Sequence, residues 1–163
     1  MDGKCFELDS LRGIYRVISS NPRNKTQIDI ATVQDGIHHD VSKRDFTINS
    51  LALDLNLVNF AESVPQFSIS QLINDHRGIE DLKNSCLRMT NKEVFQEDPL
   101  RILRAVRLSA RYSLKISAET KTQIQKNSIL ISTVSGERVR EEFLKLLSME
   151  NTVANLKLSL IHI

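Results

Sequence analysis

Polar and apolar residues alternate in two short stretches near the start of the chain, Gly13 to Ser19 (GIYRVIS) and Thr26 to Thr32 (TQIDIAT). Lying on either side of Asn21-Pro22-Arg23-Asn24, they predict two strands joined by a turn. In the second strand the alternation puts Gln27 and Asp29 on one face and Ile28 and Ile30 on the other. The pattern then predicts a helix over residues 37–53, a polar irregular region over 54–70 and a turn at His76–Gly78. Residues 82–89 read as a helix end running into another strand, and Asn91–Phe95 as a connector. Asp98-Pro99 is a strong helix start, because Asp caps free amides and Pro suits the first helical position. At 100° per residue, Arg101, Arg104, Arg107 and Arg111 then fall in a stripe about 120° wide, opposite Ile102, Leu103, Val106 and Ala110. A further helix is predicted over 119–131. A last one begins after Ser135, where Val139, Phe143, Leu146 and Leu147 share a face. No internal repeat or low-complexity segment interrupts this order.

Composition narrows the class. The 163 residues hold only 5 Gly and 3 Pro, with 40% hydrophobic residues, as expected of an ordered, helix-rich chain. This length corresponds to one domain, or two halves sharing one core. The formal net charge of +2 argues against a polybasic tail, but the charge is uneven. Residues 99–126 carry seven basic residues against Glu119. A stripe of this kind is either a solvated face or a phosphate-binding ridge. Cys5 and Cys86 stand alone, which supports neither a disulfide framework nor a zinc site and makes a reducing compartment the expectation. The neighbouring His38, His39 and Asp40 do not converge as metal ligands on a helix and read as loop or surface residues. No apolar run approaches a membrane span and MDGKCFELDS lacks a signal-peptide core, so a soluble, cytoplasmic protein is expected.

Four blocks carry the chemistry: KRDFTIN (43–49), DHRGIED (75–81), EDPLRILRAVR (97–107) and GERVREE (136–142). Cytosine and adenine both present an exocyclic amine beside a ring-nitrogen acceptor, whereas guanine and uracil present the reverse. An Asp beside an Arg therefore complements C and A and leaves the wrong base facing like partners. Asp98 and Arg101, at i and i+3, can point into one pocket. Taken alone, the same residues describe an N-cap and a member of the basic stripe. In the first block, Asp45 can accept from a ribose hydroxyl, Arg44 can fork onto phosphate oxygens, and Asn49 can hold the loop or the sugar. An Arg–Asp surface pair beside core Phe46 and Ile48 is the plainer alternative.

In this order and spacing, the four blocks resemble the class II tRNA nucleotidyltransferase and bacterial poly(A) polymerase family, from Phe6 to about Lys157. The resemblance implies an α/β fold: a partial polymerase-beta-like nucleotidyltransferase sheet, the later part of the head domain (1–88), followed by the start of an all-helical neck (89–157). It implies base recognition by Asp98 and Arg101 with Glu97 in support, and ribose and triphosphate handling by Arg44, Asp45 and Asn49. Here Lys43 stands for the family's first Arg, losing the bidentate fork. It also implies a hinge between head and neck at Asp75, Gly78 and Asp81, with Gly78 permitting a tight or positive-φ turn and Asp81 capping the segment after it. Glu137, Arg138 and Glu142 are expected to be structural, and RNA phosphates to lie along Arg104, Arg107 and Arg111.

The family's reaction uses two Mg²⁺ ions held by carboxylates, CTP and ATP as substrates and a tRNA 3′ end as acceptor. Its Gly-Gly turn and D-x-D pair have no counterpart here; Asp29 alone matches an auxiliary carboxylate, or is a solvent-facing strand residue. The chain thus reads as part of a CCA-adding enzyme, inactive alone. The alternatives are a CC-adding, A-adding or poly(A)-adding relative, or a noncatalytic RNA-binding remnant. The closing LSLIHI (158–163) matches the translation of a transposon-end adapter, so these six residues are expected to be an artefact.

Overall fold

The computed structural model describes residues 3–11, 13–19, 26–60 and 64–149. The expected turn at 21–24 and the closing LSLIHI lie outside them. The chain divides into two compact units, Met1–Ile37 and His38–Ile163.

The first unit is a three-stranded antiparallel sheet in the order β1 (Gly3–Asp9), β2 (Ile14–Ser19), β3 (Gln27–Ala31). Both predicted strands form, and the pairing of Arg16 with Asp29 and Val17 with Ile28 reproduces the predicted alternation. The first strand is an addition: KCFELD lacks a clean period-two pattern, and its pairing with β2 supplies the strand order that its own residues do not.

The second unit runs α1 (Ile37–Ser42), β4 (Ala52–Leu53), β5 (Leu72–Ile73), α2 (Gly78–Lys83), β6 (Cys86–Leu87), α3 (Val94–Glu97), α4 (Arg101–Tyr112), β7 (Lys115–Ile116), α5 (Ala118–Asn127) and α6 (Gly136–Leu147). The chain is mixed α/β, as expected. Its core joins Phe46, Leu87, Met89, Val94, Phe95, Ile102, Ala105, Leu108, Leu114 and Ile124. Burying each Phe or Leu there is worth about 1.5–3 kcal/mol. Residues on both sides of position 88 share this core, so the expected head–neck boundary is no gap in packing.

The helix expected over 37–53 stops at Ser42. Phe46 turns extended (φ −131°, ψ 151°) and bridges Met89, which carries its ring into the core beside Phe95. A single 3₁₀ turn, Thr47–Asn49, comes next. Helical periodicity continued through 43–53 because core and solvent positions still alternated there, but burial of Phe46 required a break. The connector over 91–95 likewise winds into α3, and β6 and β7 form a short parallel pair.

Candidate functional site

Asp98 ends α3 in an extended conformation, and its Oδ1 accepts from the Leu100 amide at 3.2 Å while Arg101 N donates to its carbonyl at 3.0 Å. The capped turn thus places Pro99 and Leu100 ahead of α4, close to the expected Asp-Pro start. Four residues of the 43–49 block, Lys43, Arg44, Asp45 and Asn49, line one cleft with Asp98, Leu100, Arg101, Arg104, Leu108 and Arg138. Its volume is ≈ 600 Å³, comparable to small-ligand sites. The lining holds five cationic side chains and two carboxylates over an apolar floor of two leucines, which suits a polyanion carrying a flat ring.

The charges in the cleft are held by both near and distant residues. Asp45 is buried; its Oδ1 accepts from Phe46 N and Asn49 Nδ2, both at 2.9 Å, and its Oδ2 accepts from Arg104 Nε at 2.8 Å, with Arg104 Nη2 2.7 Å away in the same ion pair. Arg101 donates to Glu97 Oε2 (3.1 Å), Val94 O (3.2 Å) and Lys43 O (3.1 Å), and its side chain is only 19% exposed. Arg44 pairs one turn back with Asp40 at 2.6 Å. Arg138 reaches from α6 to Asp98 Oδ2 at 2.8 Å.

Behind the cleft, Glu142 is buried and binds Arg107 at 2.5 Å and Lys145 at 3.2 Å, with Arg104 3.9 Å away. Burial pushes its carboxyl up, but the hydrogen bonds and charges of Arg107 and Lys145 outweigh this and hold it below the ordinary glutamate range. The basic stripe is therefore not a uniform face. Arg107 turns inward to Glu142, Arg104 and Arg101 wall the cleft, and Arg111 is exposed with its guanidinium 5.5 Å from the Tyr112 ring centroid.

The 75–81 block differs from its expected local geometry. Gly78 has no positive φ; Arg77 takes it instead, at 62°. Gly78 is needed for close approach, since a Cβ there would lie 2.3 Å from Thr47 O. Asp81 is not a cap but sits inside α2, buried, accepting from Thr47 Oγ1 at 2.8 Å and from Arg88 at 3.0 Å. Asp75 Oδ2 lies 2.6 Å from His38 Nδ1. The block ties α2 to the turn that carries Asn49.

Asp29, in the other unit, is exposed and gripped by Arg16 through two hydrogen bonds of 2.7 and 2.8 Å, which lower its pKa. Among the described residues no three His, Cys, Asp or Glu side chains converge to hold a metal ion. A lone, arginine-neutralised carboxylate does not fit a two-Mg²⁺ centre. No helix among them is long and apolar enough to cross a membrane.

Glu137, Arg138 and Glu142 were expected to fix the helices by ion pairing and packing, and Glu142 pairs with Arg107 of α4. The presence of Arg138 in the cleft was not expected, although its place one turn before Glu142 on the same face of α6 was a usable signal.

Fold and cleft together define a mixed α/β protein with a cationic site of nucleotide size. A family model described as "Probable RNA and SrmB-binding site of polymerase A" matches residues 113–158. A CCA-adding enzyme of Lactobacillus helveticus is 32% identical over 146 residues, 88% of this chain and 32% of its own length. A CC-adding tRNA nucleotidyltransferase of Geobacter sulfurreducens is 34% identical over 152 residues, 93% of this chain and 32% of its own. The solved structure of a CCA-adding enzyme with ATP superposes with a TM-score of 0.78 at 26% identity, over 96% of this chain and 36% of that one. The chain belongs to the CCA-adding enzyme and poly(A) polymerase family and spans about a third of the length of the curated relatives it matches.

Proposed function

We propose that this chain supplies the nucleotide-recognition part of a tRNA nucleotidyltransferase that extends tRNA 3′ ends with CCA, or part of it, from CTP and ATP. The observation that carries the reading is the shared cleft of the 43–49 block and the Asp98–Arg101 pair, which lie about fifty residues apart in sequence. In it, Asp98 accepts from the exocyclic amine of C or A and Arg101, supported by Glu97, donates to the ring nitrogen. Lys43 and Arg44 face the triphosphate. Asp45 already accepts three hydrogen bonds and pairs with Arg104, so its part is to hold Asn49 and Arg104 toward the sugar and phosphates. The acceptor RNA is met by Arg111, whereas Arg107 serves the fold. Gly78 and Asp81 brace, through Thr47, the turn that carries Asn49, while Asp75 pairs with His38. Mg²⁺ finds no ligand set among the described residues, and no step is assigned to it.

The family model's description favours a second reading, a poly(A) polymerase, in which the same cleft takes ATP alone. Titrating the chain with CTP, ATP, UTP and GTP separates them. Binding of CTP and ATP over UTP and GTP supports the first, preference for ATP alone the second, and equal binding of all four refutes both. On either reading Asp98→Ala should weaken nucleotide binding while leaving tRNA binding intact; an equal loss of tRNA binding would refute the assigned role.

A further inference from the structure

Asp98 and Arg101 carry opposite charges three residues apart, the spacing at which such side chains pair with each other on a helical turn. Were they to do so, the acceptor and donor that read a base would satisfy one another and the slot between them would close. The structure shows no such pair. Asp98 is drawn one way, by the Leu100 amide and by Arg138 at 2.8 Å, and Arg101 the other, by Glu97, Val94 O and Lys43 O. Resting on the nucleotide-recognition reading above, we propose that Arg138 is a positioning residue that holds the two reading groups apart.

The geometry makes this a division of labour. The Leu100 amide and Arg138 each take one carboxylate oxygen of Asp98, fixing the plane of the group, while the remaining lone pairs stay open to a base amine. Arg138 comes from α6, on a helix that buried Glu142 anchors to α4 through Arg107. Its own side chain is 53% exposed, so the pair adds little to stability. A residue of small structural value that sets the position of a reading carboxylate is expected to affect base selection more than folding.

The test uses the chain with Arg138→Ala and Arg138→Lys, titrated with CTP, ATP, UTP and GTP by calorimetry, together with a crystal structure of Arg138→Ala. The expected result is a loss of about tenfold in CTP and ATP affinity with UTP and GTP unchanged, partial rescue by lysine, and an unaltered melting temperature. In the crystal, Asp98 should swing to within hydrogen-bond distance of Arg101. Retention of the wild-type base preference by Arg138→Ala, or an Asp98 that stays in place without Arg138, overturns the proposal. If wild type itself shows no base preference, the recognition reading fails, and the crystal structure still decides whether Arg138 holds the pair apart.

Discussion

Replacing Gly78 with alanine should destabilise the second unit, although alanine is the better helix former. The added Cβ would lie 2.3 Å from Thr47 O, with Leu51 Cδ2 at 3.0 Å, so the backbones must part by about 0.7 Å. The carbonyl cannot easily yield. It accepts from Ser50 N, while Thr47 N donates to Arg88 O and Thr47 Oγ1 to Asp81. Overpacking against fixed backbone costs about 3 kcal/mol. Helix propensity returns at most about 1 kcal/mol. The net loss of about 2 kcal/mol lowers the melting temperature by roughly 6 °C for a chain of this size. Gly136→Ala is the control: at the start of α6 a Cβ meets nothing within 4 Å, so the change should be neutral or raise stability by up to about 1 kcal/mol. Thermal denaturation followed by circular dichroism reads both. If Gly78→Ala melts at or above wild type, the close-approach account of the 75–81 block is wrong.

Glu142→Gln removes a charge from a buried site where Arg107 is 11% exposed, and should cost about 3 kcal/mol in urea denaturation; exposed Lys145 contributes little of this. Because the folded-state pKa of Glu142 lies below its unfolded value, its stabilisation is fully present above the unfolded value and is lost as pH falls through the lowered one. Stability of wild type should therefore decline more steeply below about pH 4 than that of Glu142→Gln, and parallel acid limbs would contradict the assignment. Cys86 is half-buried with its thiol pushed up by burial, whereas Cys5 is exposed, so a thiol-labelling time course should modify Cys5 first. Purified chain should bind nucleotide but incorporate no CMP or AMP into RNA, since its described carboxylates form no metal site; measurable incorporation would overturn this.

Periodicity read well where one face of an element is buried and the other wet. α4 and α6 lie where the pattern put them, because burial of Ile102, Val106 and Leu146 imposes the same spacing in sequence and in space; β2 and β3 also form, although neither holds a buried residue. It failed where a single residue overruled its neighbours. Phe46 left the helix for the core, and Gly78 was needed for lack of a side chain rather than for a positive φ. A glycine in a turn signals freedom of φ or closeness of approach, and only the position of Thr47 O distinguishes the two.

The cleft divides the same way. Asp98, Arg101, Asp45 and Asn49 could be picked out from the sequence as candidates, and all four line the cleft, because the chemistry of a base edge and a phosphate limits which side chains can serve. Their partners could not be picked out, because ion pairs such as Asp45–Arg104 and Asp98–Arg138 span 59 and 40 residues and leave no local pattern. Yet the partners decide what the visible residues can do. Asp45, engaged by Arg104, Asn49 and its own following amide, has become a holder of donors rather than a free acceptor, and Arg107, facing Glu142, has been withdrawn from the basic stripe. A count of arginines on a helix face therefore overstates its pull on RNA. Among the described residues of that stripe, substitution of Arg111 should weaken RNA binding without loss of stability, whereas substitution of Arg107 should do the reverse.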